Sequence, residues 1–141
     1  MHDNANATID EVFRTCRTIA VVGASANSAR PSNRVAGYMK ARGYRMIPVN
    51  PNEITILGEP VYPSLTAIPD SIDLVDVFRK AEDVLPIVEE AITKGAKAIW
   101  LQEGIVNEAA AVRAKQAGLL VVMNRCWLKE HSARSNRGSE I

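Results

Sequence analysis

Five short apolar runs punctuate the chain: TIAVV at 18–22, RMIPV at 45–49, DLVDVF at 73–78, AIWLQ at 98–102 and LLVVM at 119–123. Most lack polar alternation, which is the pattern of parallel strands covered on both faces rather than of hairpins open to water on one side. The segments between them can hold crossover helices, and strands alternating with helices specify a parallel sheet. The expected fold is therefore α/β: a Rossmann-like, doubly wound, mainly parallel sheet of about five strands with helices on both faces.

The helices announce themselves by spacing and caps. Ile9, Val12, Phe13 and Cys16 predict a short helix over 9–16 behind Thr8 as cap, and Ser32 is the expected cap of a helix that carries Val35, Tyr38 and Met39 and ends at Gly43. Pro48 inside the second run limits its pairing and predicts an edge or an interruption. From 56 to 72, three prolines and one glycine predict a loop with an extended piece at 60–62 and one turn at 64–67. Val84, Ile87, Val88, Ala91 and Ile92 trace an amphipathic helix with Pro86 in its first turn and Gly95 at its end. Asn107 caps an alanine-rich helix closing at Gly118. One domain over 8–130 follows, with an N-terminal segment at 1–7 and a polar, disordered tail at 131–141.

Charge and cysteines narrow the function classes. A net charge of +1 over 141 residues gives no global attraction to nucleic acid or membrane, so a bound anion must be met by locally placed cations. Cys16 and Cys126 lie in no metal-ligand spacing, and no apolar run approaches the roughly 18 residues of a membrane helix. The opening MHDNANATID has no basic stretch followed by an apolar one. These features predict a cytoplasmic chain with free thiols and no metal.

Right-handed crossovers place every loop that follows a parallel strand on one edge of the sheet, where ligands bind. Those loops supply Gly23, Ala24 and Ser25; Asn50 and Pro51; Phe78 and Arg79; Gln102, Glu103 and Gly104; Asn124, Arg125 and Cys126. They contain no Ser-His-Asp set, and Asp73, Asp76 and Glu103 form no acid/base pair, so the edge is one that binds rather than reacts. In VGASANSAR only the first glycine of a dinucleotide fingerprint is present, as Gly23, with Ser25 and Ser28 in the other places. Gly23 lets backbone approach a diphosphate, and the N–H groups of Ala24, Ser25 and the following helix end are its expected donors.

NAD fits the rest of the sequence poorly. The second strand ends in VNPN without an acid for the ribose, Glu53 comes three residues late, and no Walker lysine follows the turn. Arg30 and Arg34 straddle a helix start and would meet a phosphate monoester, which NAD lacks. Trp100 is expected in the core, Phe78 at a strand end where it can flank adenine, and Glu103 against a ribose hydroxyl or within its own turn. Cys126, beside the cation Arg125, is either a reactive thiol at the crevice edge or an inert one.

VGAS, RPSNRVAGYMKARGYRMIPVNP, VDVFR, WLQEGI and AGLLVVMNRC, in that order, resemble the small single-domain CoA-binding proteins. Their domain is similar to the N-terminal CoA-binding domain of the succinyl-CoA synthetase α subunit. The resemblance implies CoA or an acyl-CoA as ligand, its diphosphate by the Gly23 turn, its adenosine beside Asn50 and Pro51, the crevice lined by 77–79, and Glu103 in the site as counterpart of the ligase's glutamate-glycine turn. A 3′-phosphate would supply the monoester for Arg30 and Arg34. The ligase also relies on a phosphorylatable histidine in a second domain, whereas the histidines here are His2 and His131, in terminal segments. The implied role is non-catalytic binding, with the protein partner open. Two other readings stay open: a divergent NAD(P)-binding oxidoreductase fragment, and a protein-interaction subunit on a Rossmann scaffold.

Overall fold

The five apolar runs form one parallel sheet because each has helices to bury both of its faces against. The computed structural model describes residues 4–136. In chain order the elements are α1 (Asn4–Thr15), β1 (Thr18–Val22), α2 (Pro31–Ala41), β2 (Arg45–Val49), β3 (Thr55–Ile56), β4 (Glu59–Pro60), β5 (Leu74–Val77), α3 (Val84–Lys94), β6 (Ala98–Leu101), α4 (Glu108–Gln116), β7 (Leu120–Met123) and α5 (Trp127–Asn136). The sheet order is β2-β1-β5-β6-β7, all parallel. The chain winds from β1 outward to β2 and then returns to β5 on the other side, so the topological switch point lies between β1 and β5.

Alternate residues of each strand divide the core into two layers. Ala20, Val22, Val75, Val77, Ile99 and Leu101 pack with Val84 and Val88 of α3 and Ala110 and Ala114 of α4. Ile19, Val21, Leu74 and Trp100 pack with Ile9 and Phe13 of α1, Val35 and Met39 of α2 and Trp127 of α5. Trp100 is fully buried and its Nε1 donates to the carbonyl of Arg125 at 2.8 Å, which satisfies the one polar atom that its burial would otherwise strand.

Several local expectations hold. Strand β2 is an edge, and Tyr62 covers its outer side by donating to the Pro48 carbonyl at 3.1 Å and accepting from Asn50 N at 3.0 Å. Asn107 caps α4 by accepting from Ala110 N at 2.9 Å, and Gly95 ends α3 in the left-handed conformation at φ 76°. The expected turn at 64–67 is a single 3-10 turn over Leu65–Ala67.

Other expectations are corrected. Thr8 lies inside α1, which begins at Asn4, and Ser32 lies inside α2. Arg30 is the N-cap there and Pro31 opens the helix, where a missing N–H costs nothing. The hairpin of β3 and β4 inside the proline-rich stretch was not expected; it closes through Leu57 at φ 53° and Gly58 at φ 78°.

The largest difference is at the C-terminus, where residues 131–136 of the expected disordered tail form the second part of α5. Trp127, His131 and Arg134 recur on one face and are buried, although the sequence between them is mostly polar. His131 stacks on Trp127 with centroids 5.0 Å apart, while Arg134 donates to Asp10 at 2.7 Å and to Glu130 at 2.8 Å and lies over Phe13. An imidazole face and a guanidinium stem bury surface as an aliphatic side chain would, which a count of apolar residues misses. The rest of that tail and the first three residues of the expected N-terminal segment lie outside the described residues. Among the described residues no helix is long and apolar enough to cross a membrane, and no group of three or more His, Cys, Asp or Glu could hold a metal ion.

Candidate ligand-binding crevice

The loops that leave the strands at the switch point enclose a cavity of about 900 Å³. Of the residues expected in a site, Gly23, Ala24 and Ser25 line it after β1, Arg30 and Arg34 from the start of α2, and Asn50 and Pro51 after β2. Phe78 and Arg79 line it after β5, and Gln102 and Glu103 after β6. Ser28 and Asn124 are not among the lining residues. Ser28 is exposed on the loop, and the Asn124 Oδ1 accepts from Gly104 N at 2.8 Å, shaping the turn after β6 from outside the cavity.

Gly23 adopts φ 88°, and a Cβ built on it would lie 2.6 Å from the Phe78 carbonyl oxygen. Only glycine allows the turn to close on the end of β5. The N–H groups of the turn are less available than the sequence implied: Gly23 N and Ala24 N both donate to the Val49 carbonyl, at 3.1 and 3.3 Å. The Ala24 N–H, expected to serve a diphosphate, instead joins the turn to β2. The Ser25 hydroxyl accepts from Asn27 N at 3.0 Å, and Asn33 Nδ2 donates to the Ser25 carbonyl at 2.9 Å. A serine in place of the second fingerprint glycine thus braces its own loop.

A donor that does line the cavity is Ser32, which sequence reading assigned to a cap. It is the second residue of α2, where helix geometry leaves an N–H without an intrahelical partner. Its side chain is 5% exposed, lines the cavity, and has no hydrogen-bond partner among the described residues. The positive end of the α2 dipole points the same way.

The lining carries Arg30, Arg34, Arg79, Lys80 and Lys129 against one carboxylate, Glu103, so cation is concentrated here in a chain that is almost neutral overall. Some of that charge is committed. Lys129 pairs with Glu103 at 3.0 Å, a contact that raises the lysine's pKa, and Arg79 pairs with Asp83 at 3.3 Å. Arg34 donates to the Ala29 carbonyl at 3.0 Å. The side chains of Arg30 and Lys80 have no partner among the described residues and are free to meet an anion. Lys80 and Lys129 were missed by sequence reasoning: the first lies just beyond the strand-end pair, and the second belongs to α5, a helix that the sequence reading did not predict.

Three carboxylates, those of Glu53, Asp73 and Asp76, are absent from the lining. The Asn50 amide donates to the Ala24 carbonyl at 2.8 Å and its Oδ1 accepts from Asn52 N at 2.7 Å, while Glu53 is exposed outside the cavity. The end of β2 therefore offers no carboxylate to a ribose. Asp76 is fully buried in the middle of β5, with no partner for either oxygen among the described residues, and burial pushes its carboxyl well above the usual range. Asp73 sits at the opposite edge of the sheet, accepting from Arg17 N at 2.9 Å and Thr18 N at 3.1 Å, so the two do not act together. What the crevice can do is hold an elongated anion across several strand ends.

A family profile described as CoA binding domain matches residues 17–132. The "Uncharacterized protein YneT" of Bacillus subtilis is 37% identical over 132 residues, covering 94% of this chain and 98% of that protein. The ADP-forming acetate–CoA ligase II of Archaeoglobus fulgidus is 33% identical over 95 residues, which is 65% of this chain but 14% of the ligase. A solved structure, a hypothetical protein from Pyrococcus horikoshii OT3, superimposes with a TM-score of 0.87 at 41% identity, covering 91% of this chain and 90% of the other.

Proposed function

The chain belongs to the CoA-binding domain family, and from that premise we propose that it holds CoA or an acyl-CoA without transforming it. One observation carries the reading: the Gly23 turn, the open end of α2 with the buried Ser32 hydroxyl, and the unpaired Arg30 meet in one cavity at the switch point. In this reading the diphosphate lies along the Gly23 turn and takes hydrogen bonds from Ser32, while Arg30 and Arg34 meet the 3′-phosphate. The adenosine lies beside Asn50 and Pro51 with half-buried Phe78 against the base, and Gln102 and Glu103 border the arm that leaves the diphosphate. The non-catalytic assignment is supported by the lining: its one carboxylate is tied to Lys129, and no histidine among the described residues lines the cavity. The proposed unit extends the expected 8–130 domain to take in all of α1 and α5, because His131 and Arg134 are buried in the fold, and it acts in a compartment that keeps Cys16 and Cys126 reduced.

The purified protein is denatured and its released small molecules identified by mass spectrometry, then the refolded apoprotein is titrated with CoA and NAD+ while its thermal midpoint is followed. CoA is expected to raise the midpoint and NAD+ to leave it unchanged, because the end of β2 lacks a ribose acid. Equal stabilisation by NAD+ would return the protein to the dinucleotide-binding class.

A further inference from the structure

Cys126 lines the same cavity, and simple holding of a nucleotide gives it no task. Its place is fixed by neighbours anchored to β6: Asn124 N donates to the Leu101 carbonyl at 2.8 Å, Trp100 Nε1 to the Arg125 carbonyl at 2.8 Å, and Trp127 N to Gln102 Oε1 at 3.1 Å. The segment folds back from β7, and Cys126 stands over the end of β6. Adjacent strands are about 4.8 Å apart, so the three spacings from β6 to β2 put roughly 14 Å of sheet width between Cys126 and Asn50. The Gly23 turn and Ser32 lie between them. An occupant anchored by an anionic centre at α2, with a base at one end, sends its other end to this sulfur.

Two further groups are aimed at such an occupant. Ser32 is 5% exposed and Gln102 4%, and both line the cavity. Neither the Ser32 hydroxyl nor the Gln102 amide nitrogen has a partner among the described residues, and neither is sealed in the core as the unpartnered oxygens of Asp76 are, so both stay open to an occupant of the cavity. The Gln102 amide is held next to Cys126 by its bond to Trp127 N and presents an N–H donor suited to an amide carbonyl, such as the pantetheine arm carries.

We propose that Cys126 is a thiol–disulfide exchange site that captures a CoA disulfide bound in the crevice as a protein–CoA mixed disulfide; this rests on the CoA-binding reading above. The Cys126 thiol gives its proton to solvent and the sulfur attacks the nearer sulfur of the CoA disulfide. A bond forms between Cys126 and that CoA, the original S–S bond breaks, and the second CoA leaves as a thiolate that solvent protonates. The bound disulfide is the oxidant, so no other is required. Cys16, 1% exposed at the opposite edge of the sheet, does not share in this.

The test follows intact mass over time when the whole protein meets CoA disulfide or glutathione disulfide, with desulfo-CoA, which lacks only the sulfur, as competitor and as calorimetric ligand. One adduct of one CoA is expected, retained in Cys16→Ser, absent in Cys126→Ser, slowed by desulfo-CoA and formed at least about tenfold faster than the glutathione adduct. Cys126→Ser is expected to keep the parent's urea midpoint, which certifies its fold. Desulfo-CoA binding without an adduct, an adduct that survives Cys126→Ser, or equal rates from both disulfides regardless of competitor overturns the exchange site and leaves the CoA-binding reading standing. No binding of desulfo-CoA overturns both.

Discussion

The Phe78 carbonyl oxygen lies where a side chain on residue 23 would begin, 2.6 Å from a Cβ built on Gly23. The first turn of the crevice and the end of β5 are thus in backbone contact across the switch point, and the cavity floor has no slack there. This contact can be separated from the general need for glycine at positive φ. Gly118 has φ 91° with nothing within 4 Å of its Cβ position.

Gly118→Ala should lose about 1 kcal/mol, the cost of placing alanine in that conformation. Gly23→Ala should lose about 2 to 3 kcal/mol, because the Phe78 backbone must also move, and it should weaken CoA at least about tenfold. Urea unfolding and calorimetry of both variants measure this. Equal losses in the two would mean that the contact does not constrain the turn.

The five strands of the main sheet, their parallel direction and the collection of their C-terminal ends into one crevice were legible because apolar runs and caps act locally. What was not legible depends on partners distant in sequence. Ser32 reads as a cap because serine at a helix start usually is one, yet Pro31 opens the helix and turns the hydroxyl to the cavity. Ala24 reads as a phosphate donor until Val49, from the neighbouring strand, claims its N–H. The second half of α5 reads as tail because His131 and Arg134 count as polar, although Trp127, Phe13 and Asp10 give them a buried place.

His131 makes that last element sensitive to acid. Burial first, and then the charges of Arg42 and Arg17, hold its pKa below the ordinary value. Tyr38 OH lies 2.8 Å from its Nδ1. The unfolded chain takes up the proton near pH 6.5 while the folded chain does so only at lower pH, so this contribution is complete above about pH 6.5 and is lost as pH falls toward the folded pKa. The stability advantage of the parent over His131→Gln should therefore narrow between about pH 7 and about pH 5, by at most about 1.4 kcal/mol per pH unit. A pH-independent difference in urea midpoints would show that the imidazole does not titrate differently in the two states.

Asp76 acts in the opposite direction. Its folded pKa is raised by burial, so its titration adds no cost well below about pH 4, where both states are protonated, and adds increasingly more as pH rises from there to the folded pKa. Asp76→Asn keeps the shape of the protonated acid without its titration. Its stability relative to the parent should grow from about pH 4 upward and then level off, in a urea series at fixed ionic strength. A gain already complete at about pH 4 would mean that packing, not ionisation, separates the two.

Arg30 and Arg34, the pair proposed to read the 3′-phosphate, do not stand in the same state. Arg34 already donates to the Ala29 carbonyl and so helps to hold the loop, whereas the side chain of Arg30 has no partner among the described residues. Both are exposed, so the phosphate they meet stays partly hydrated, and the preference for CoA over dephospho-CoA should be modest, about tenfold. Arg30→Gln should remove most of that preference and leave dephospho-CoA affinity and thermal midpoint unchanged. Arg34→Gln should weaken both ligands, because loosening the loop also disturbs the turn that faces the diphosphate. Calorimetric titration of both ligands against both variants at one ionic strength decides between them. If Arg30→Gln weakens the two ligands equally, the monoester is not read at the start of α2, and Lys80, the other lining cation whose side chain has no partner among the described residues, becomes the group to replace next.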